Sequence, residues 1–282
     1  MIRSIDEESI HRLCSSQVVV DLATAVKELV ENALDAGATM VEIKLRNYGA
    51  DSIEVSDNGN GISPEDYANI AERHATSKLE TYEGLNEVSS YGFRGEALNA
   101  LCELSENFQV ITRRDCDELG AALNFDKLGR LARQIPSPRG KGTTVVVEKL
   151  FTPLPVRRAE FVRNIKKHYQ KMLRVIQAYA LIATKKKIVL TNFASNGVRT
   201  GVLATNYCNR LEDNVSLVFG SAFLATLMPL AVEIEGAVKL SGLLSKAGEG
   251  VGRGDSERQF IYLDNRPVDL PPLTRMLNEV FR

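Results

Sequence analysis

A helical pattern of polar and apolar residues between positions 27 and 38 constrains this chain more than any other feature. Glu28, Asn32 and Asp35 are spaced i, i+4 and i+7, so on a helix they share one stripe. The apolar residues of the same region fall on the opposite face: Val26, Leu29, Val30, Ala33 and Leu34. The spacing predicts a helix over residues 21–36 that buries one face and presents three oxygen-bearing side chains on the other.

Two interpretations of this stripe remain open from the helix alone. Asn32 can offer Mg²⁺ a neutral oxygen without cancelling the charge of the ion. Glu28 lies one turn earlier and can take a proton from a water molecule, which is the task of a general base. The alternative is an ordinary amphipathic helix whose charged face is simply solvated.

A second motif follows a strand-like alternating run at residues 51–56. Asp57 comes at the end of this run, and a carboxylate in that position can accept a hydrogen bond from an exocyclic amine. Gly59 and Gly61 allow the backbone to turn sharply and a flat ring to lie against it. The alternative for this motif is a common hairpin turn.

A glycine-rich segment at residues 92–98 opens an apolar helix and predicts a phosphate seat. Free N–H groups at the start of a helix carry partial positive charge and point at an anion. Gly92, Gly95 and the helix from Glu96 supply such groups, and Arg94 adds a charged donor. The alternative is a glycine-rich turn with no ligand.

Three further segments complete the set of candidate site residues. The composition of residues 76–92 suits a mobile lid that orders over a triphosphate. His74 is interpreted as structural rather than as a catalytic base. Thr143 and Thr144 either reach a phosphate oxygen or are plain strand residues. The sequence contains no GxxxxGK[ST] loop, which excludes ATP binding through a P-loop.

The ordered set of motifs closely resembles the nucleotide-binding fold shared by gyrase-type topoisomerases, the Hsp90 chaperone, histidine kinases and MutL, known as the GHKL ATPases. The amino-acid sequences of these motifs, and those of residues 150–158 and 259–267, are similar to MutL mismatch repair proteins. The details are most similar to the eukaryotic post-meiotic-segregation (PMS) subunit of MutLα. The resemblance covers nearly the whole chain. It departs mildly at Asn60, where the family usually has a cysteine.

This resemblance implies an α+β chain with two parts. A GHKL (Bergerat) ATPase α/β sandwich is expected at residues 1–208. A ribosomal-protein-S5 domain 2-like α/β domain, incomplete at its C-terminal end, is expected at residues 209–282. The boundary is placed where the apolar pattern fades, around residues 205–211.

The element predictions combine periodicity with turn signals. Besides the helix at 21–36, helices are expected at 9–14, 64–73, 95–104, 158–183, 214–219 and 271–281. Strands are expected at 40–45, 52–55, 107–112, 121–125, 143–150, 187–192, 231–235, 238–243 and 259–263.

The resemblance also assigns roles to the matching residues. It implies that Asp57 reads the adenine amino group, that Asn32 holds Mg²⁺ and that Glu28 activates the attacking water. The expected ATP-binding residues are Asn32, Asp57, Gly59, Gly61, Thr76, Ser77, Lys78, Gly92, Phe93, Arg94, Gly95, Glu96, Ala97, Leu98, Thr143 and Thr144. Arg94 or Lys78 is expected to stabilise charge that develops on the γ-phosphate.

Family behaviour sets the remaining functional expectations. A lysine of the second domain reaches the γ-phosphate in the family and is expected beyond residue 282, so ATP binding with slow hydrolysis is predicted. ATP is expected to order the N-terminal arm and promote association with a MutL-homologue partner subunit, which closes a clamp on DNA. A MutS-type mismatch recognition complex is a further expected partner. The alternatives are an ATP-gated interaction module without hydrolysis and the ATPase region of a type II topoisomerase.

Composition and cysteine content limit the classes of protein to which this chain can belong. With 282 residues, 44% hydrophobic and 25% charged, the chain fits one large or two medium globular domains. No apolar run approaches the ~20 residues that a membrane span needs. The four cysteines are scattered without metal-binding spacing, which indicates reduced thiols of an intracellular protein. With the family resemblance, a nuclear location is expected.

Charge is distributed unevenly, although the net charge is −1. Residues 1–100 hold 18 acidic and 8 basic residues, whereas residues 157–187 hold ten basic residues and only Glu160 as an acid. Such a basic block can follow a phosphate backbone, and the alternative is a solvated helix face. The candidate residues for DNA contact without sequence preference are Arg163, Lys166, Lys167, Lys171, Lys185, Lys186 and Lys187.

Overall fold

The computed structural model describes residues 7–73, 75, 90–92, 95–234, 238–248 and 257–281. Two compact units divide the chain: Met1–Ile176 with Lys186–Ala204, and Gln177–Lys185 with Thr205–Arg282. The domain limits expected from the sequence, 1–208 and 209–282, stay a prediction. None of the helices in the described ranges has the length and apolarity that a membrane span requires.

The first unit combines helices with one large sheet. Its helices are α1 (Glu7–Val18), α2 (Leu22–Asp35), α3 (Ala97–Leu104), α4 (Pro155–Arg163) and α5 (Ile165–Ile182), the last of which continues into the second unit. Its strands are β1 (Met40–Arg46), β2 (Ser52–Asp57), β3 (Asn107–Arg113), β4 (Gly120–Phe125), β5 (Leu131–Ser137), β6 (Gly142–Glu148), β7 (Lys187–Phe193) and β8 (Arg199–Ala204).

The eight strands form a single mixed sheet in the order β5-β4-β3-β6-β2-β1-β7-β8. The β1–β7 pair is parallel and the other pairs are antiparallel. Burial alternates along β1, where Val41, Ile43 and Leu45 face the core, as expected for a strand with one covered face. Helix α2 packs on β1 and β2. Its polar face is therefore held above the central strands of the sheet.

The motif helix forms where the sequence predicts it. The Asp21 side chain caps α2 by accepting from the Thr24 N–H at 2.8 Å, which satisfies a donor that the first turn leaves free. Gly37 follows the helix with φ +74°, the left-handed conformation that suits glycine after a helix end. The predicted apolar face is confirmed, since Val26, Leu29, Val30, Ala33 and Leu34 are all buried.

Two predicted helices differ from the structure. The expected helix at 64–73 is only a 3₁₀ turn, Pro64–Asp66, followed by further turns. Its apolar positions bury only Tyr67 and Ala71, too little packing to hold a longer helix. The expected helix at 158–183 breaks at Asn164, whose side chain donates to Glu160 at 2.8 Å. Asparagine competes for local hydrogen bonds in this way and often ends helices.

The second unit contains short elements of both kinds. They are α6 (Leu211–Phe219), α7 (Ser221–Leu224), β9 (Leu227–Ile234), β10 (Val238–Ser245), β11 (Ile261–Leu263), β12 (Arg266–Val268) and α8 (Pro271–Phe281). The β9–β10 and β11–β12 pairs are antiparallel. The buried Asn214 side chain donates to the Leu181 carbonyl at 3.0 Å, which ties α6 to the end of α5. Likeness to the S5 domain 2 fold stays a prediction.

Candidate active site

A cavity of about 1350 Å³ lies over the polar face of α2 in the first unit. Most of the sequence-predicted site residues within the described ranges line it: Glu28, Asn32, Asp57, Gly61, Gly92, Gly95, Glu96, Ala97, Leu98 and Thr143. The predicted residues Thr76, Ser77, Lys78, Phe93 and Arg94, and also His74, lie outside the described residues. The structure therefore brings the motif helix, the segment at Asp57, the glycine-rich segment before α3 and the strand at Thr143 to one place.

The stripe on α2 forms one wall of this cavity. Glu28, Asn32 and Asp35 are half-buried and line it, whereas the residues between them are mostly packed in the core. Lys27 joins them and contacts two carboxylates, Glu28 at 3.1 Å and Glu31 at 2.7 Å. The wall thus offers carboxylate and amide oxygens beside one ammonium group, a set of groups that can bind a hard cation or activate a water.

Asp57 lines the cavity at the carboxyl end of β2. Its Oδ1 accepts from the N–H groups of Gly59 at 2.8 Å and Thr143 at 3.1 Å. Burial raises the pKa of Asp57, and the two N–H donors and the charge of Arg139 offset part of that rise. With Oδ1 held by the backbone, Oδ2 is the carboxylate oxygen that can meet a donor from a ligand.

Two glycines that line the cavity are required by close backbone contacts. Gly61 has φ +73°, and a Cβ there would lie 2.3 Å from the Arg113 carbonyl oxygen. Gly95 has φ +62°, and its Cβ would lie 2.3 Å from the Ala75 carbonyl oxygen. Any side chain at either position would push the two segments apart. Glycine is therefore needed at Gly61 for two reasons: the predicted sharp turn, and the close packing of its backbone against Arg113.

Asp35 has a function that sequence reasoning missed. Its two carboxylate oxygens accept from the backbone N–H groups of Tyr91 at 2.8 Å and Gly92 at 3.1 Å. The carboxylate thereby holds the glycine segment that leads to α3 against the motif helix. The spacing on α2 placed Asp35 on the polar stripe but gave it no role, because its partners lie more than 50 residues away, beyond any local pattern.

We expect Asp35→Ala to loosen this segment without unfolding α2. Each lost hydrogen bond to a charged group is worth roughly 1.5–3 kcal/mol, so the Tyr91 and Gly92 amides should exchange with solvent about tenfold faster or more. Hydrogen exchange read by mass spectrometry measures this, with Asp51→Ala on the loop before β2 as the matched control. Unchanged protection at Tyr91 and Gly92 would show that the carboxylate does not hold the segment.

Comparison with known proteins identifies the type of site. Residues 20–139 match the family of histidine kinase-, DNA gyrase B- and HSP90-like ATPases. A crystal structure of the N-terminal domain of a DNA repair protein is 37% identical, with TM-score 0.86, covering 96% of this chain and 81% of that one. The DNA mismatch repair protein PMS1 of Arabidopsis thaliana is 45% identical over the whole chain. This chain belongs to the MutL family.

Within the MutL family the match lies in the N-terminal GHKL ATPase region. The Aquifex aeolicus MutL ATPase domain complexed with ADP is 26% identical with TM-score 0.66, covering 91% of this chain and 86% of that one. The mixed sheet is thus that of a GHKL domain, as the sequence predicted. This chain spans about a third of the length of its curated relatives, 30% of the Arabidopsis protein.

Thr143 and Thr144 lie at the start of β6 beside Asp57, and Thr143 lines the cavity. The Thr143 hydroxyl is 3.1 Å from that of Thr112. The Thr144 hydroxyl is 2.8 Å from that of Ser56 and accepts from Arg139 at 2.9 Å. Both hydroxyls thus brace the strand ends beside Asp57, and their contact with a nucleotide stays a prediction.

Helix α1 also contributes to the MutL-type site, whereas the sequence predicted only that ATP orders the N-terminal arm. Cys14, Gln17 and Val18 line the cavity. The buried Ser15 hydroxyl donates to Glu103 of α3 at 2.5 Å, so α1 is joined directly to the helix that follows Gly95. Arg157 binds the end of α1 by donating to the carbonyl groups of Ser16 and Val19, each at 3.0 Å.

The basic block is only partly a solvated surface. Lys171 pairs with the α2 cap Asp21 at 2.5 Å, and Lys186 donates to the Ala38 carbonyl at 2.8 Å. These two predicted DNA-contact residues thus have contacts within the fold. The others differ in exposure: Arg163, Lys166, Lys167 and Lys185 are exposed, and Lys187 is half-buried. Their contact with DNA stays a prediction.

Proposed function

We propose that this chain binds ATP with Mg²⁺ in the α2 cavity and hydrolyses it slowly, as the N-terminal region of a MutL-type mismatch repair protein. One observation carries the proposal: a single cavity joins Asp57, the oxygen stripe of α2 and the glycine segment before α3. These three groups suit an adenine, a water with a cation, and a phosphate chain.

The adenine end is assigned to Asp57. Its Oδ1 is held by two backbone N–H groups, so Oδ2 can accept from the exocyclic amine of adenine. Guanine carries a carbonyl oxygen where adenine carries this amine, and an oxygen facing a carboxylate has no hydrogen bond to make. Asp57 therefore selects adenine over guanine.

The phosphate end is assigned to Gly92, Gly95 and the first turn of α3. The N-terminal N–H groups of a helix attract anions, and α3 begins at Ala97 beside the cavity. Asp35 holds the Gly92 backbone in place from α2. The seat is thus positioned by the fold before a nucleotide enters.

The residues present also fit a magnesium ion. Asn32 would hold it with a neutral amide oxygen, as suits an ion whose other ligands are phosphates and waters. No group of three acidic, histidine or cysteine side chains in the described ranges forms a separate metal site, and a phosphate-bound Mg²⁺ does not need one. When bound, the ion would neutralise charge on the phosphates.

Hydrolysis is assigned to Glu28. Its carboxylate lines the cavity one turn before Asn32, where it can orient a water and accept a proton from it. The backbone N–H groups near Gly95 can stabilise the negative charge that develops on the phosphate oxygens. The alternative, an ATP-gated module without turnover, differs only in giving Glu28 no chemical role.

Calorimetric titration of the purified chain tests the binding proposal. ATP and ADP should bind with Mg²⁺ present, and GTP should bind at least about tenfold more weakly, since one unsatisfied buried acceptor costs about 1–3 kcal/mol. Phosphate release should be slow and should stop when EDTA is added. No heat on addition of ATP, or equal affinity for GTP, would contradict the adenine site.

The proposed cellular role is ATP-dependent control of DNA in mismatch repair. It includes a MutL-homologue partner subunit, a MutS-type complex and a nuclear location. The names of the relatives support the process. The contact of α1 with both the cavity and α3 supports a link from the nucleotide to the N-terminal helix, through which partner association would be controlled.

DNA contact is proposed for the exposed basic residues of α4 and α5. Lys166→Glu with Lys167→Glu should weaken DNA binding and reduce the slope of log affinity against log salt by about two, since each phosphate contact contributes about one. Arg130→Glu with Arg133→Glu, both exposed on another part of the first unit, is the matched control. Equal slopes of log affinity against log salt in the two double variants would show that the basic block is a solvated surface that does not contact DNA.

A further inference from the structure

We propose that Lys27 is a positioning residue for Glu28, and that the buried carboxylate of Glu31 fixes Lys27 for this task. This inference rests on the proposed function, in which Glu28 activates the attacking water. It adds two residues of α2 that the sequence motif includes but to which neither the motif nor the cavity assigned a role.

The geometry is a short chain of charges along one helix. The Lys27 ammonium lies 2.7 Å from Glu31 Oε2, an i,i+4 pair, and 3.1 Å from Glu28 Oε1. Lys27, Glu28 and Glu31 all line the cavity. The ammonium therefore bridges a carboxylate at the rim of the core and the carboxylate that faces the cavity.

Burial makes this bridge more than a surface ion pair. The Glu31 side chain is 7% exposed, against 25% for Glu28 and 38% for Lys27. A carboxylate taken out of water to this extent needs a charged or hydrogen-bonding partner, and removing one is costly. An exposed pair between neighbouring residues would be too weak to orient either side chain. Lys27 is held by Glu31, and so it can hold Glu28.

Lys27 keeps its charge in this setting. Burial lowers the pKa of Lys27, but the hydrogen bonds and charges of Glu31 and Glu28 outweigh it and leave the pKa raised. The group is thus an ammonium at neutral pH, with its donors directed at both carboxylates.

The expected consequence concerns the orientation of the base. With the ammonium on Oε1, the second oxygen of Glu28 is left to meet a water. Without it, the glutamate side chain samples several rotamers, and catalysis depends on a base held within hydrogen-bond reach of its proton. This is the same logic by which a third group orients the base in other catalytic sets.

Lys27→Met and Lys27→Arg test the proposal through the division of the effect between kcat and nucleotide affinity. Lys27→Met keeps the length and apolar stem but has no charge, so kcat should fall about 10- to 100-fold with ATP and ADP affinities within about twofold. Lys27→Arg should restore most of kcat. An unchanged kcat in Lys27→Met, or a fall in kcat matched by an equal loss of affinity, would overturn the proposal.

Two further variants separate the possible failures. Lys27→Met leaves Glu31 buried without its ammonium, so Lys27→Met with Glu31→Gln removes that charge and protects the fold; its kcat should stay as low as in the single variant. A wild-type kcat in this double variant would overturn the positioning role. Glu28→Ala is measured in parallel. If it retains turnover, the base assignment fails; if it loses turnover while Lys27→Met is normal, only the positioning role fails.

Discussion

Asp57→Asn should abolish ATP binding while leaving the fold intact. The asparagine carbonyl oxygen can replace Oδ1 and keep the hydrogen bonds from Gly59 and Thr143. Its NH₂ group then takes the position of Oδ2 and presents a donor to the adenine amine, itself a donor. Two facing donors leave both unsatisfied at about 1–3 kcal/mol each, which corresponds to a loss of affinity on the order of 100-fold or more.

Calorimetry with ATP and ADP measures this loss, and thermal unfolding checks the fold. Asp51→Asn is the matched control, because it makes the same chemical change just before the opposite end of β2. The control should bind as the wild type does. Unchanged affinity in Asp57→Asn would show that this residue does not recognise adenine. The cavity would then have no residue assigned to the nucleobase.

The same carboxylate sets an expected pH dependence. Burial raises the pKa of Asp57 above its ordinary value of 3.8, despite the opposing N–H donors. A raised pKa means that protonation occurs at a higher pH than for an exposed aspartate. ATP affinity should therefore fall as the pH drops toward this raised pKa, beginning while the pH is still above 3.8. Affinity that stays constant down to that pH would contradict a buried acceptor.

Glu28→Ala should retain nucleotide binding and lose turnover. The side chain belongs to α2, whereas adenine recognition is assigned to Asp57 of β2, so nucleotide binding should not depend on it. Removal of a general base typically costs 10²- to 10⁴-fold in rate, and at least about 100-fold is expected here. Glu28→Gln should lose turnover as well, because an amide retains the size and the acceptor for Lys27 but cannot take up a proton.

Single-turnover phosphate release and calorimetry, measured on the same preparations, test this division. Glu65→Ala, an exposed glutamate in the turn after β2, is the control and should have wild-type rates. Persistent turnover in Glu28→Ala would show that Glu28 is not the general base. Absence of turnover in the wild type itself would favour the ATP-gated module without hydrolysis.

The central helix shows how much local sequence can predict. Its cap at Asp21, the left-handed Gly37 after its end and its buried apolar face all follow from interactions within a few residues. Capping and helical periodicity are short-range effects, so a pattern of about fifteen residues contains the information. The same holds for the strands β1 and β2 and for the end of β2 at Asp57.

Elements with weak local patterns were predicted less well. Strands β5 and β8 were not anticipated, since most of their side chains are exposed and show little apolar alternation. They pair with β4 and β7 through backbone hydrogen bonds at the two edges of the sheet. A strand held mainly by its neighbour leaves little signal in its own sequence.

The sequence by itself determined the motif helix, its oxygen stripe, the glycine turns and, through their order, the family. Only the tertiary structure decided which of these groups meet: Asp35 with Gly92, Arg157 with the end of α1, and Lys171 with Asp21. These partners are separated by 57, 141 and 150 residues. Their contacts depend on how the fold brings distant segments of the chain together. A sequence pattern that reflects only nearby residues contains no information about such contacts.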